Sequence, residues 1–295
     1  MDNKRCTLFR TGHILGGYIF SLFTASYCSF IMAELIATFC HSFHYLLWPF
    51  VCFSLLLYFF LSHCRLDQWR SHSDTWNHLL VVTAHPDDEC MFFAPMLLHF
   101  RRRKKNISVL CLSTGNYYHL GSKRRLELVK SCNILGIPEK NVTVIDESCF
   151  PDDPTRIWNE ELVARTILQH IEDISPDVLL TFDRYGVTGH NNHISVYCGC
   201  RKILHDGRVP NGVAFLSLET TNPLRKYISF LDVPLSVLLA SRIYISPLSD
   251  VICAQRAMFL HWTQLTWYRM LYIIFSRYML LNTVNEFQQV ENVPR

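Results

Sequence analysis

Residues 81–89 have the sequence Val-Val-Thr-Ala-His-Pro-Asp-Asp-Glu, in which an apolar, β-branched run ends abruptly in a histidine, a proline and three acids. This change of composition is typical of a buried strand that leads into a polar loop and then a helix. In an open α/β sheet, ligands bind at the carboxyl ends of the strands. The stretch therefore predicts an α/β fold with metal-binding and proton-transfer groups concentrated at one strand end.

Strand-like and helix-like segments alternate from residue 78 onward. We expect Pro95 to break the first helix. Alternating elements predict a Rossmann-like parallel sheet with helices on both faces, in which the polar loops after Thr83, Ser113 and Phe182 share one edge. The expected strands are 78–83, 107–113, 142–145, 177–182, 213–218 and 242–245, and the expected helices are 88–104, 123–135, 156–171 and 194–205, followed by a mainly helical segment at 250–281.

The N-terminal part of the chain predicts a membrane anchor. Residues 46–61 form an almost uninterrupted apolar run. The length of this run is at the lower limit for a helix that spans a membrane. Residues 14–39 form an earlier apolar block that contains Glu34, so one or two spans, or a cleaved signal peptide, remain open. We expect an anchor at 1–65, a linker at 66–77 and a catalytic domain at 78–295.

Basic residues flank the predicted anchor and predict its orientation. Lys4, Arg5 and Arg10 precede the first apolar block, and Arg65 and Arg70 follow the second. The positive-inside rule places these flanks, and with them the catalytic domain, on the cytosolic side of the membrane.

Composition limits the other function classes. The net charge of +3 over 295 residues is too weak to predict nucleic-acid binding. The 12 cysteines include no pair spaced as Cys-x-x-Cys, so we interpret them as reduced residues rather than a disulfide scaffold.

Residues 189–193, Gly-His-Asn-Asn-His, form a second polar cluster after a predicted strand. His85, Asp88 and His193 can then bind one ion. Two imidazoles and one carboxylate with open positions are typical of a catalytic zinc site, although the same set can hold ferrous iron or another divalent metal. Taken alone, residues 85–89 could instead be a helix N-terminus, but the second cluster favours the metal site.

The residues beside these ligands predict the chemistry. Asp87 can act as the general base toward a water activated by the metal. His190 can stabilise an oxyanion or protonate a leaving nitrogen. Glu89 is expected to orient a ligand or backbone amides.

A C-terminal segment rich in aromatic residues, 262–281, is either a core-packing helix or an interfacial helix resting on a bilayer.

Several segments together resemble the N-acetylglucosaminylphosphatidylinositol de-N-acetylase family. The resemblance spans about residues 79–279, and it includes the two clusters and the segments 115–116, 121–128, 135–137, 150–154, 224–229 and 271–278. It implies zinc on His85, Asp88 and His193, with Asp87 as base and His190 as its oxyanion or acid partner. It also implies that Arg124 contacts the substrate, although a surface pairing of Arg124 with Glu127 remains open.

The resemblance further implies the second step of glycosylphosphatidylinositol anchor synthesis, at the cytosolic face of the endoplasmic reticulum membrane. Bacterial relatives often carry Asp where this chain has Asn192, which we place beside the ligands. We therefore expect a membrane-anchored zinc amidohydrolase that acts on a glycolipid, with protein partners unknown. A deacetylase of soluble N-acetyl sugars and a membrane scaffold without activity are the alternatives.

Overall fold

The computed structural model describes the backbone of residues 5–64 and 75–287. It describes the side chains of residues 31–63 and 75–287. The chain divides into two compact units, 1–53 and 54–295. Helix α1 (Arg5–Cys64) is continuous and contains Pro49. Within the described residues, Ile31–His63 is the one segment long and apolar enough to cross a membrane, judged by length and composition. The expected linker at 66–77 lies largely outside the described residues.

A seven-stranded sheet forms the centre of the second unit. The strands are β1 (His78–Thr83), β2 (Asn106–Cys111), β3 (Val142–Val144), β4 (Val178–Phe182), β5 (Ala214–Leu218), β6 (Arg242–Ile245) and β7 (Leu281–Glu286). Their order is β3-β2-β1-β4-β5-β7-β6, and the first five are parallel. The side chains of β4 are all buried, and those of β1 are buried from Leu79 onward, as expected for central strands of a parallel sheet.

Helices cover this sheet. They are α2 (Asp88–Met91), α3 (Ala94–Arg102), α4 (Gly121–Ile134), α5 (Glu160–Ile174), α6 (Gly186–Gly189), α7 (Asn191–His205), α8 (Pro223–Tyr227), α9 (Val233–Leu239), α10 (Leu248–Phe259) and α11 (Trp267–Phe275). Helix α5 packs on α7, while α3 and α4 both pack on α10. The contact between α5 and α7 requires Gly199, because a Cβ there would lie 2.3 Å from Cγ1 of Val163.

The predicted α/β fold is confirmed, with differences at particular elements. The expected helix at 88–104 is two helices, and Pro95 lies in the first turn of the second. The helix expected at 156–171 begins at Glu160, because the side chain of Asn159 accepts hydrogen bonds from the backbone of Glu161 and Leu162. The sheet is not wholly parallel, since β7 pairs antiparallel with both β5 and β6.

Strand register brings the polar loops together. Thr83, the last residue of β1, pairs with Cys111, the last residue of β2. Strand β4 lies on the other side of β1 and runs in the same direction. The loops that follow β1 and β4 therefore leave the sheet at the same edge, and the two predicted clusters meet there.

Candidate metal and catalytic site

Three side chains from the two predicted clusters converge at this edge. Nδ1 of His85 lies 3.3 Å from Nε2 of His193. Oδ1 of Asp88 lies 3.2 Å from the same nitrogen of His193, and Oδ2 of Asp88 lies 3.8 Å from Nδ1 of His85. All three residues are buried. The sequence-predicted ligands therefore form one compact group.

The spacing of these atoms fits a metal ion. Ligands about 2.1 Å from a tetrahedral zinc ion lie roughly 3.4 Å from one another. Two of the measured separations are close to that value, 3.3 Å between the two histidine nitrogens and 3.2 Å between Oδ1 of Asp88 and His193, whereas the 3.8 Å contact with His85 is made by the other oxygen, Oδ2. Two imidazole nitrogens and the carboxylate of Asp88 can thus supply three ligands and leave a fourth position open toward the cleft.

Backbone contacts orient two of these ligands. Oδ2 of Asp88 accepts hydrogen bonds from the backbone N–H groups of Ala84 (3.1 Å) and His85 (2.8 Å). Nδ1 of His193 lies 2.9 Å from the backbone oxygen of Gly186, so this nitrogen donates and Nε2 is left with its lone pair. The ring of His193 also stacks on Phe182, with centroids 4.1 Å apart.

Electrostatic coupling accompanies this proximity. Burial by itself raises the pKa of Asp88, but His193 and His85 outweigh it and hold that pKa well below its usual value. Burial likewise lowers the pKa of His193, but Asp88 raises it above its ordinary value overall. Each of these two residues therefore stabilises the charged form of the other, and a cation bound here would compete with a proton on His193.

Asp87 has an uncommon backbone conformation, with φ at 111°. Its backbone N–H donates to Oε2 of Glu89 at 3.0 Å, which helps to hold this conformation. Its carboxylate faces two guanidinium groups. Arg269 donates to Oδ2, and Nη2 of Arg124 lies 3.7 Å from Oδ1. The backbone turn therefore points the side chain of Asp87 along the cleft while Asp88 faces the histidines.

His190 lies beside the two histidine ligands. Its ring centroid is 4.7 Å from that of His85 and 5.1 Å from that of His193. Burial, together with charge on the two neighbouring imidazoles, lowers the pKa of His190 to about 4. Its Nδ1 accepts a hydrogen bond from the backbone N–H of Asn192, at 3.2 Å. A neutral His190 thus keeps its proton on Nε2.

Asp152 is a site residue to which the sequence analysis assigned no role. Its Oδ1 lies 3.1 Å from Nε2 of His85, the nitrogen that faces away from His193. Burial raises the pKa of Asp152, but His85 and Arg124 reverse the shift and lower it overall. This carboxylate can hold the proton of His85 on Nε2 and so leave Nδ1 free to bind a metal. The only available signal was its position within the resembling segment 150–154.

Asn192 and Arg124 both lie close to the group formed by His85, Asp88 and His193. Nδ2 of Asn192 lies 3.2 Å from Nε2 of His85 and donates to the backbone oxygen of Pro151. Arg124 donates to the backbone oxygens of Gly115 and Pro86 and to Asp152. The observed partners of the Arg124 guanidinium are therefore protein groups that join three loops, and Glu127 instead accepts from Thr263.

Glu89 belongs to a second buried group. Its Oε1 lies 2.7 Å from Nε2 of His261 and accepts from Oγ of Ser131 at 2.5 Å, and both Glu89 and His261 are fully buried. Burial lowers the pKa of His261, but Glu89 raises it above its ordinary value. Since Oε2 of Glu89 accepts from the backbone of Asp87, this pair supports the turn that carries the expected base.

An open cleft of about 340 Å³ gives access to the first group but not to the second. Arg269, from α11, contributes to its wall, and no local motif in the sequence indicated that role. The residues that line the cleft are His85, Asp87, Asp88, Met91, Phe92, Tyr117, Tyr118, Arg124, Asp152, Pro154, Thr188, His190, His193, Gln264 and Arg269.

Comparisons with known proteins identify a family and several similar chains. Residues 80–204 match the family model PIG-L, described as GlcNAc-PI de-N-acetylase. An N-acetylglucosaminyl-phosphatidylinositol de-N-acetylase of Bos taurus is 45% identical over 207 residues, which cover 70% of this chain and 82% of that one. A probable enzyme of the same name from Dictyostelium discoideum is 34% identical, over 71% of this chain and 93% of that one.

Among solved structures, N,N'-diacetylchitobiose deacetylase from Pyrococcus horikoshii has a similar fold. The TM-score is 0.54 at 14% identity, and the match covers 77% of this chain and 90% of that one. The identity with the eukaryotic relatives and the family match within the catalytic unit lead to one assignment: this chain belongs to the PIG-L family of GlcNAc-PI de-N-acetylases.

Proposed function

We propose that this chain hydrolyses the N-acetyl group of N-acetylglucosaminyl-phosphatidylinositol, giving glucosaminyl-phosphatidylinositol and acetate. The observation that carries the proposal is the convergence of His85, Asp88 and His193 beside Asp87 in an open cleft. The family and the names of its relatives supply the substrate.

His85, Asp88 and His193 would hold the metal, which we take to be zinc, with another divalent ion as the alternative. When bound, the cation supplies Lewis acidity toward the amide carbonyl and lowers the pKa of water. Asp87 lines the same cleft and accepts the proton of the attacking water as general base.

His190 acts on the developing charge. Its lowered pKa favours the neutral ring at pH 7, and its Nδ1 already accepts a backbone hydrogen bond. The proton on Nε2 is then available to donate to the oxyanion that forms from the acetyl carbonyl. We therefore favour the oxyanion role of His190 over protonation of the leaving nitrogen, and the proton that Asp87 takes from the water is then returned by Asp87 to that nitrogen.

Two arginines can meet the anionic headgroup. Arg269 has a side chain that is 20% exposed, against 8% for Arg124, and Arg124 is occupied by two backbone carbonyls and Asp152. We assign the more accessible Arg269 to the sugar or phosphate of the substrate. Arg124 then acts first as the residue that holds Asp87 and Asp152 in place.

The candidate span supports a membrane location. A tethered domain searches a local volume for its lipid substrate, which raises the effective concentration. Together with the basic flanks of the apolar blocks, this supports a catalytic domain on the cytosolic face of the endoplasmic reticulum membrane, in the second step of glycosylphosphatidylinositol anchor synthesis.

Incubation of the purified full chain with the acetylated glycolipid, with and without a chelator, tests this proposal. We expect release of acetate that the chelator abolishes and that added Zn²⁺ restores. Higher activity toward free N-acetylglucosamine than toward the glycolipid would favour a soluble-sugar deacetylase. A chain that binds no divalent metal and releases no acetate would favour a scaffold without activity.

A further inference from the structure

Helix α11 exposes apolar side chains on most of its surface. Only Tyr272 and Ile273 are buried in it, whereas Trp267 is 76% exposed and Ile274 is 58% exposed. A helix at the surface of a soluble protein normally turns its apolar stripe toward the core. We call the exposed set the outer face of α11, and it consists of Trp267, Tyr268, Met270, Leu271, Ile274 and Phe275.

Helix α8 packs beside α11 and extends this outer face. The rings of Tyr227 and Tyr272 meet edge to face, with centroids 6.4 Å apart. Tyr227 is half-exposed, and Leu224, one turn earlier in α8, is largely exposed. Helix α9, which follows along the chain, exposes Leu238 and Leu239 as well. Exposed apolar residues in such a number mark an interaction surface rather than an ordinary solvent-facing helix.

The charges of these segments favour a lipid surface. Residues 223–239 and 260–280 are described throughout, and they contain a single acid, Asp232. That acid is fully buried and forms ion pairs with Arg225 and Arg277. The surface thus presents tryptophan, tyrosine and aliphatic groups without negative charge, which is the composition that partitions into the headgroup region of a bilayer.

Helix α11 is also a wall of the catalytic cleft. Its Arg269 contacts Asp87, and the hydroxyl of Tyr272 donates to the backbone oxygen of Met91 at 2.8 Å. Gln264, just before the helix, lines the same cleft. Whatever contacts the outer face of α11 therefore lies next to the site.

We propose that the outer face of α11, extended by α8, rests in the interfacial layer of the bilayer. The acyl chains of the glycolipid then stay in the membrane while its sugar enters the cleft beside Arg269. An interfacial helix of this kind buries its apolar face about 5–10 Å into the headgroup boundary. The part of this proposal that concerns the glycolipid rests on the proposed function, whereas membrane contact by α11 does not.

Quenching of tryptophan fluorescence by brominated lipid tests the contact without any activity measurement. The full chain is reconstituted in phosphatidylcholine and phosphatidylinositol vesicles with and without brominated acyl chains. We expect Trp267→Phe to remove part of the quenched emission. The matched control Trp76→Phe, at a partly buried tryptophan of the domain core, is expected to leave the quenched part unchanged. Equal quenching in the wild-type chain and Trp267→Phe would overturn the proposal.

Ile274→Glu then tests the consequence for turnover. We expect roughly a tenfold loss of activity on vesicle-borne glycolipid, and little change on an acetylated headgroup that lacks acyl chains. Leu162→Glu, at an exposed position of α5, is the matched control and should retain both activities.

The possible failures are distinguishable. A wild-type chain inactive on both substrates contradicts the proposed function, while the quenching still decides the contact with lipid. Full activity of Ile274→Glu on vesicles contradicts the docking surface alone. A change of oligomeric state on Ile274→Glu, without any quenching of Trp267, would assign the outer face to a second copy of the chain.

Discussion

Asp88 and Glu89 are adjacent acids that enter two very different buried groups. Asp88 meets two histidines at the floor of an open cleft, whereas Glu89 meets one histidine, His261, and a serine in a sealed interior. Both pairs raise the pKa of a histidine, His193 in one and His261 in the other. The Asp88 group is open to the cleft and contains a second imidazole, so it is a candidate metal site. The Glu89 group is closed and contains one imidazole, so we interpret it as a structural ion pair.

The largest effect without loss of metal is expected at Asp87, which lies between the two groups. Asp87→Asn preserves the shape but removes the group that accepts the proton, so kcat should fall by about 10²–10⁴-fold. Metal content should stay at the wild-type level because Asp87 is not a ligand. Measurement of both quantities on one preparation checks this, and wild-type turnover would remove Asp87 as the base.

Removal of a histidine from the open group should abolish metal binding. His193→Ala deletes one of three protein ligands, so we expect the purified variant to lose its metal and its deacetylation together. Elemental analysis after dialysis measures the first, and acetate release measures the second. A variant that keeps one equivalent of metal would contradict the assigned ligand set.

Removal of the histidine from the sealed group should affect stability instead. His261→Ala leaves the buried carboxylate of Glu89 with only neutral partners, Ser131 and the backbone N–H of Asp87, and breaking a buried pair costs about 3–5 kcal/mol. We expect Tm to fall by roughly 6 °C or more, with the metal retained. His261→Gln, whose amide can donate to Glu89, should recover part of the loss. Loss of metal without loss of stability would show that His261 supports metal binding rather than the folded state.

A smaller effect is expected at Asp152, which contacts the outward nitrogen of His85. Asp152→Asn keeps the size of the side chain but weakens the hydrogen bond that sets the ring tautomer. We expect metal affinity to fall by about 10–100-fold. A competition titration with a chelator of known affinity measures this change, and unaltered affinity would show that His85 needs no such partner.

The two groups also differ in how far the sequence predicted them. His85, Asp88 and His193 were predictable because each cluster follows a buried strand, and parallel strands bring their carboxyl ends to one edge. Asp152 and Arg269 were not, since they reach the site from a loop and a helix with no local chemical motif. Ligand assignment itself stays a prediction until a metal is measured.

Strand β7 is a part of the fold that the local sequence pattern did not predict. We expected residues 250–281 to be mainly helical and did not predict a strand after them. Strand β7 carries two buried polar residues, Asn282 and Thr283, in place of an alternating apolar pattern. Asn282 accepts from the backbone of Met96 and donates to that of Phe92, so it joins β7 to the first turn of α3 and to the residues between α2 and α3. Its place in the core depends on that tertiary contact, which local periodicity cannot reveal.

X-ray absorption at the zinc edge of the metal-loaded full chain shows whether His85, Asp88 and His193 bind the ion. We expect one zinc per chain with nitrogen and oxygen ligands at about 2.0–2.2 Å, two of them imidazoles, and no sulfur. The spectrum should lose its imidazole signature in His193→Ala and keep it in His261→Ala. A sulfur ligand at about 2.3 Å would contradict the claim, since Cys90 lies with Glu89 and His261 in the sealed group.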